Sequence, residues 1–269
     1  MRKTGEGQKG VALVTGAGSG IGRALAEGLG RQGYSLILAG RNPEHLESTR
    51  KKSGGRCVSA DLQSPEGRSV LVREMEESCP DVVVLCAGYG ILGDFADLTR
   101  EDLEGMLQVN ILAFSQQLRC AIDLMERRGS GRILAVSSTA GAFPGSPHFA
   151  VYYATKSYES ALVSGIQGEL RRKGVPVGLT LLCPGPVSSG FDARAGARHS
   201  LPGMTPEAVA DAALPAFLAG KPLVVPGLLN RLAMVLPRLL PDRLLLLMAD
   251  RQQRKKTGGQ DRGRLQSRG

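Results

Sequence analysis

The stretch "VALVTGAGSGIG", residues 11–22, decides the fold. An apolar, β-prone run ends in a cluster of glycines and passes into an amphipathic segment over residues 20–32. Gly16 permits a tight turn, while Gly20 and Gly22 let backbone approach a pyrophosphate and let a helix pack closely on its strand. The helix start supplies free N–H groups and the positive end of its dipole, with Ser19 and Ile21 in the same loop. A glycine triplet also serves any tight strand-to-helix turn. Its place here, after the first strand and before a helix, argues for a dinucleotide cradle.

Outward from this turn the chain alternates short apolar runs with longer amphipathic ones. Residues 11–16, 35–40, 57–62, 82–88, 132–138 and 176–182 read as strands, each an almost continuous apolar run suited to a parallel strand covered on both faces. Helical patterns occupy 20–32, 65–78, 100–127 and 153–173. This alternation predicts an α/β fold: a doubly wound, mostly parallel sheet with helices on both faces, Rossmann-type, in a single domain. The organisation expected is a flexible N-terminus (1–9), a catalytic body (10–220), a leucine-rich extension (221–250) with a last strand in "PLVVPG", and a basic disordered tail (251–269).

Composition narrows the function classes. Hydrophobic residues make up 42% and charged residues 22%, as in a soluble globular protein. The five cysteines follow neither a paired nor a metal-ligand spacing, so no disulfide framework and no metal site is expected, and a cytoplasmic setting is the default. The start "MRKTGEGQKG" lacks the apolar core of a signal peptide. Of the formal charge of +9, most sits at the ends: residues 250–269 carry seven Lys/Arg against two Asp. No aromatic-and-basic motif accompanies it, which argues against nucleic-acid binding.

Ligands of such sheets bind at the carboxyl ends of the strands. The second strand ends in Gly40 and Arg41, where users of NAD carry an acidic residue for the ribose 2′-hydroxyl. Nothing there repels a 2′-phosphate and Arg41 can fork onto it, so NADP(H) is expected over NAD(H); the plain alternative is a solvated loop charge. At the third exit, Asp61 and Leu62 suit an adenine amino group and ring face, or else a turn. At a later helix start, "VYYATK" (151–156) sets Tyr152 four residues and Tyr153 three residues before Lys156. Either phenol can neighbour the lysine, so spacing alone does not choose between them. The preceding strand delivers Ser137 and Ser138 to the same edge. Reduction of a carbonyl needs an acid at the oxygen, and a nearby ammonium favours the phenolate form of that acid.

Taken in order, "TGAGSGIG", "CAG" (86–88), Asn110 in "LQVNILA", Ser138, "YYATK" and "CPGPVSS" make the chain resemble the short-chain dehydrogenase/reductase family over about residues 10–190. The resemblance implies Tyr152 as general acid/base, Lys156 as ribose ligand and activator of the tyrosine, Ser138 as orienter of the substrate oxygen, and Asn110 as support for a water-linked proton relay. It implies Ala87, Gly88, Pro184, Gly185 and Val187 along the cofactor. Two departures stand out: Cys86 replaces the usual asparagine, and the interval from Ser138 to Tyr152 is one residue longer than is common. The implied reaction is reversible hydride transfer between NADPH and a ketone or aldehyde. A catalytically silent NADP(H)-binding sensor on the same fold is the alternative.

The substrate pocket is expected from Phe143, His148, Phe149 and Phe191, with "GFDARAG" (190–196) as a lid. His148 reads more as a loop residue than as a second base. Residues 223–248 are leucine-rich, but prolines and charges interrupt every run well short of a bilayer span. They either pack over the active site or a partner subunit, or form an interfacial helix pair at the inner membrane surface. Relatives often assemble as homodimers or homotetramers through helices corresponding to 100–127 and 153–173.

Overall fold

Strand β1 (Val11–Thr15) pairs in parallel with β2 (Ser35–Gly40) on one side and β4 (Val82–Leu85) on the other. Strands β3 (Arg56–Ser59), β5 (Gly131–Val136), β6 (Val177–Leu182) and β7 (Leu223–Val224) complete a seven-stranded sheet in the order β3-β2-β1-β4-β5-β6-β7. Every pairing is parallel. The order reverses between β1 and β4, and this opens a crevice at their carboxyl ends. The computed structural model describes residues 9–198 and 202–257, so nearly all of the expected flexible N-terminus and the chain beyond Thr257 lie outside the described residues.

Helices cover both faces. Helices α1 (Gly20–Arg31), α2 (Pro43–Ser53) and α8 (Pro206–Leu218) lie on one, where Leu25, Leu29, Leu46 and Phe217 pack against Val14, Leu38 and Leu134. Helices α3 (Pro65–Ser78), α4 (Arg100–Leu107), α5 (Phe114–Arg128) and α6 (Ala150–Lys173) lie on the other, burying Leu71, Phe114, Leu118 and Val163 against Leu13, Val83 and Ile133. Local chemistry sets several starts. Asn42 and Ser64 accept from the N–H groups of His45 and Gly67, each with proline opening the helix that follows, and Thr99 and Asp102 form a reciprocal capping box. Helix α6 stops at Gly174, whose φ of 65° is the left-handed conformation that ends helices.

Two expectations need revision. The single helix expected over 100–127 is interrupted by a π turn at Gln108–Ala113, which carries Asn110. The disordered tail expected over 251–269 is not disordered in its first part: α10 (Asp242–Thr257) follows the short helices α7 (Phe191–Arg194) and α9 (Leu228–Val235) and runs straight through residues 251–257, and the rest lies outside the described residues. The inward stripe of α10 is Leu245, Ala249, Gln253 and Lys256, all buried at helical spacing. Polar composition concealed the helix because half of that stripe is itself polar. Among the described residues, no helix is long and apolar enough to cross a membrane.

Candidate active site

The turn after β1 is built for close approach. Gly16 and Gly20 have φ of 66° and 53°, and a Cβ on Gly22 would stand 2.3 Å from the Gly16 carbonyl oxygen. At the start of α1, Ser19 makes no side-chain capping bond and the first turn holds no acidic residue. Its orphan N–H groups and the dipole behind them therefore fit an anion such as a dinucleotide pyrophosphate. The Thr15 hydroxyl seals the neighbouring strand ends: it accepts from the N–H groups of Cys86 (2.9 Å) and Ala87 (3.1 Å) and donates to the Val84 carbonyl.

A cavity of about 750 Å³ opens from this turn. Its wall includes Gly16, Ser19, Gly20, Ile21, Gly22, Arg41, Asp61, Leu62, Ala87, Gly88, Pro184, Gly185 and Val187, together with Ser138, Tyr152 and Lys156. Asp61 combines both of its readings: it lines the cavity, and its carboxylate also accepts from the Gln63 N–H at 3.1 Å in a local turn. Cys86, in the place of the family asparagine, is a partly buried thiol pushed up to about 12 by burial, and it packs as a neutral small group.

Helix α6 carries the reactive groups on one stripe. Tyr152, Lys156 and Glu159 follow at i, i+4 and i+7. The Lys156 ammonium is 5.8 Å from the centre of the Tyr152 ring. It donates to both carboxylate oxygens of Glu159, at 2.9 and 3.0 Å, and to the Val136 carbonyl at 3.3 Å. Burial pushes the Tyr152 phenol above its ordinary range; the Lys156 charge and the neighbouring Ser138 hydroxyl pull it back, and the Glu159 charge pushes it further up. Tyr153 lines the same cavity but has other partners. Its hydroxyl accepts from the Gln253 amide at 3.2 Å and its ring meets Phe143 and Phe149 edge-on. Ser137 and Ser138 both line the cavity, but the Ser137 hydroxyl donates to the Lys156 carbonyl of α6. The extra residue before Tyr152 lies in a loop with a 3₁₀ turn at Thr139–Ala142 and His148 in the left-handed region, φ 60°.

Two expected site residues lie off the cavity wall. Asn110 is fully buried, accepting from the Tyr89 N–H and donating to the Tyr89 carbonyl and the Thr155 hydroxyl. Its side chain is spent tying the β4 exit to α6, so any relay at this position would have to run through main chain. His148 points away from the pocket, with Nδ1 2.5 Å from an Asp94 carboxylate oxygen and Nε2 3.2 Å from one of Asp250. Phe143, Phe149 and Phe191 do line the pocket, where Tyr152 stacks on Phe149 at 4.5 Å and meets Phe191 at 5.4 Å.

Packing of residues 223–248 over the active site was among the readings of the sequence; what it missed is the share of α10 beyond residue 250 in that roof. Asn230 and Ala233 of α9 and Gln252, Gln253 and Lys256 of α10 close the cavity from above. The Lys256 ammonium is buried, 2.8 Å from an Asp192 carboxylate oxygen, and so ties α10 to α7. The helical spacing of Leu245, Ala249, Gln253 and Lys256 was the available signal. Glu159 was also missed: it sits in "KSYES" among polar neighbours, and nothing local marks it as fully buried. Among the described residues, no cluster of side chains could hold a metal ion.

Comparison with known proteins agrees with this geometry. Residues 10–199 match the family described as short chain dehydrogenase. An uncharacterised oxidoreductase of Staphylococcus epidermidis is 33% identical over 190 residues, covering 68% of this chain and 81% of the relative. The uncharacterised oxidoreductase YbbO of Escherichia coli is 30% identical over 258 residues, covering 90% and 94%. Among solved structures, a short-chain dehydrogenase from Sphingobium yanoikuyae in complex with NADPH superposes with a TM-score of 0.75 at 26% identity, covering 86% of this chain and 96% of that one. One from Burkholderia phymatum in complex with NAD gives the same TM-score at 22% identity, covering 88% and 94%, a likeness of fold.

Proposed function

Because the chain belongs to the short-chain dehydrogenase/reductase family, we propose that it is an NADP(H)-dependent carbonyl reductase, reversible in principle, in which Tyr152 is the general acid/base. The observation that carries this reading is the meeting of the Tyr152 phenol, the Lys156 ammonium and the Ser138 hydroxyl on one cavity wall, beside a glycine turn that admits a dinucleotide. The nicotinamide, when bound, supplies the hydride. Ser138 holds the substrate oxygen by hydrogen bond, and Tyr152 gives that oxygen its proton as negative charge develops there. Lys156 can hold the ribose by exchanging its long bond to the Val136 carbonyl, at 3.3 Å, and the phenolate left behind regains its proton from solvent. Phe149 and Phe191 flank the phenol and give the wall beside it an apolar face. The catalytically silent alternative leaves this constellation without a task.

NADP(H) is favoured over NAD(H) by charge. Arg41 stands exposed on the cavity rim at the β2 exit, where no carboxylate competes. Arg194 lines the same cavity, its guanidinium held below its ordinary range by burial and by the Arg41 charge. Two guanidinium groups near one another are suited to a doubly charged 2′-phosphate.

The C-terminal helices favour a membrane surface and a lipophilic substrate. Leu228 and Leu229 are 73% and 80% exposed, and Leu232, Val235, Leu239 and Leu247 continue the apolar surface. Exposed Arg231, Arg243, Arg251 and Lys255 lie along the same helices. A second copy would face like charges across this surface, whereas anionic lipid complements both its apolar and its basic parts. The helices carrying it also roof the cavity, which offers an apolar substrate a short way in.

Three outcomes are expected. Tyr152→Phe lowers kcat for ketone reduction by roughly 10²–10⁴-fold with little loss of NADPH affinity, and Tyr153→Phe costs far less; near-normal turnover of Tyr152→Phe refutes the assignment. Arg41→Ala raises the KM for NADPH by about tenfold or more, the scale of one charged hydrogen bond, and leaves the KM for NADH nearly unchanged; a wild-type preference for NADH refutes the cofactor reading. The protein sediments with anionic vesicles in a salt-sensitive way and Leu228→Glu/Leu229→Glu does not; absence of wild-type sedimentation ends the membrane reading.

A further inference from the structure

Glu159 has no part in the constellation described so far, yet it is fully buried one turn beyond the catalytic lysine. Its carboxylate takes two of the three ammonium protons of Lys156, at 2.9 and 3.0 Å, and the Val136 carbonyl takes the third at 3.3 Å. Side-chain exposure is 6% for Lys156 and 1% for Glu159, so water does not screen the pair. The other groups facing it are few. They are Tyr152 on α6, the Cys86 thiol after β4 and the Cys183 thiol after β6, with hydroxyls of Ser137 and Ser160. Burial pushes both thiols up to about 12, which leaves them neutral at physiological pH.

The charge seen by Tyr152 follows from this arrangement. A lone ammonium near the phenol favours the phenolate, because it stabilises the charged form. A Lys–Glu pair sharing a single titrating proton has no net charge, whichever atom that proton sits on. Removing one partner of a buried pair would leave the other uncompensated, so the two are held together. Tyr152 therefore faces a dipole where spacing alone suggested a full positive charge.

We propose that Glu159 is a positioning residue for the reaction: paired with Lys156, it offsets part of the lysine's charge at the phenol, favours the protonated form of Tyr152, and so readies the site for carbonyl reduction. This rests on the reading of Tyr152 as the acid. In that direction the hydride adds to the carbonyl carbon, the phenol proton passes to the oxygen, and the products are an alcohol, oxidised cofactor and a phenolate that solvent reprotonates. Oxidation of the alcohol needs the phenolate first, so at neutral pH it starts from the minor form of Tyr152.

The test is a spectrophotometric titration of tyrosinate in the cofactor-free protein, with Tyr152→Phe counterparts subtracted to isolate Tyr152. Glu159→Gln and Glu159→Met, the latter leaving no buried amide to satisfy, are expected to lower the Tyr152 midpoint by about one pH unit or more, the scale of an uncancelled charge nearby. Glu159→Asp, which keeps the charge, stays near wild type. In parallel, the pH at which alcohol oxidation accelerates moves down in Gln and Met variants and not in Asp. A midpoint unchanged or raised in whichever neutral variant folds overturns the proposal. The titration does not depend on turnover: loss of activity in Tyr152→Phe with an unmoved midpoint sinks only the role of Glu159, whereas a shifted midpoint in a protein that turns over no carbonyl sinks only the catalytic reading.

Discussion

Pairing of β1 with β4 is the contact from which the site follows. Ala12, Leu13 and Val14 align with Val82, Val83 and Val84, and the chain reaches this register only after laying β2 and β3 on the opposite side. The loops that leave β1 and β4 must then diverge, and the space between them is the crevice. Thr15 holds the divergence in place by taking the first two N–H groups beyond β4. The glycine turn, the Arg41 exit and the Ser138 exit all open onto the same edge because every strand is parallel. Chemistry collects there as a consequence of topology.

Burial supplies the second constraint. The long helix α6 delivers a phenol, an ammonium and a carboxylate along one stripe into an interior where charge is costly. The ammonium and carboxylate answer that cost by pairing, and the phenol by staying neutral. Nearby polar groups are handled alike: Asn110 is satisfied by Tyr89 and Thr155, and Lys256 by Asp192. The last pair also binds the C-terminal helix to α7, and both contribute to the cavity wall.

Much of this was legible in the sequence, for identifiable reasons. Continuous apolar runs betray parallel strands, and a glycine turn at a strand exit betrays a phosphate site, because both depend on local geometry. Tyr152 and Tyr153 were indistinguishable locally, since i+3 and i+4 are both neighbours on a helix. What separates them is long-range: Gln253, a hundred residues away, occupies the Tyr153 hydroxyl. The roof helix was hidden because its buried stripe ends in glutamine and lysine, which composition assigns to solvent. Glu159 was hidden for the same reason, as burial of a charged side chain is decided by what packs over it. His148 read as a pocket residue only from its place in the loop, and the carboxylates of Asp94 and Asp250 draw it outward.

Isotope transfer probes the proposed reductase activity, with Tyr152 as proton donor, at the bond that forms. The protein would be incubated with 4-deuterated NADPH and a broad panel of ketones and aldehydes, apolar ones included, and the alcohols read by mass spectrometry. One deuterium is expected at the carbinol carbon of at least one product with wild-type protein, and none above background with Tyr152→Phe. Tight NADPH binding with no deuterium in any product would contradict the reductase reading and leave the fold with a binding role.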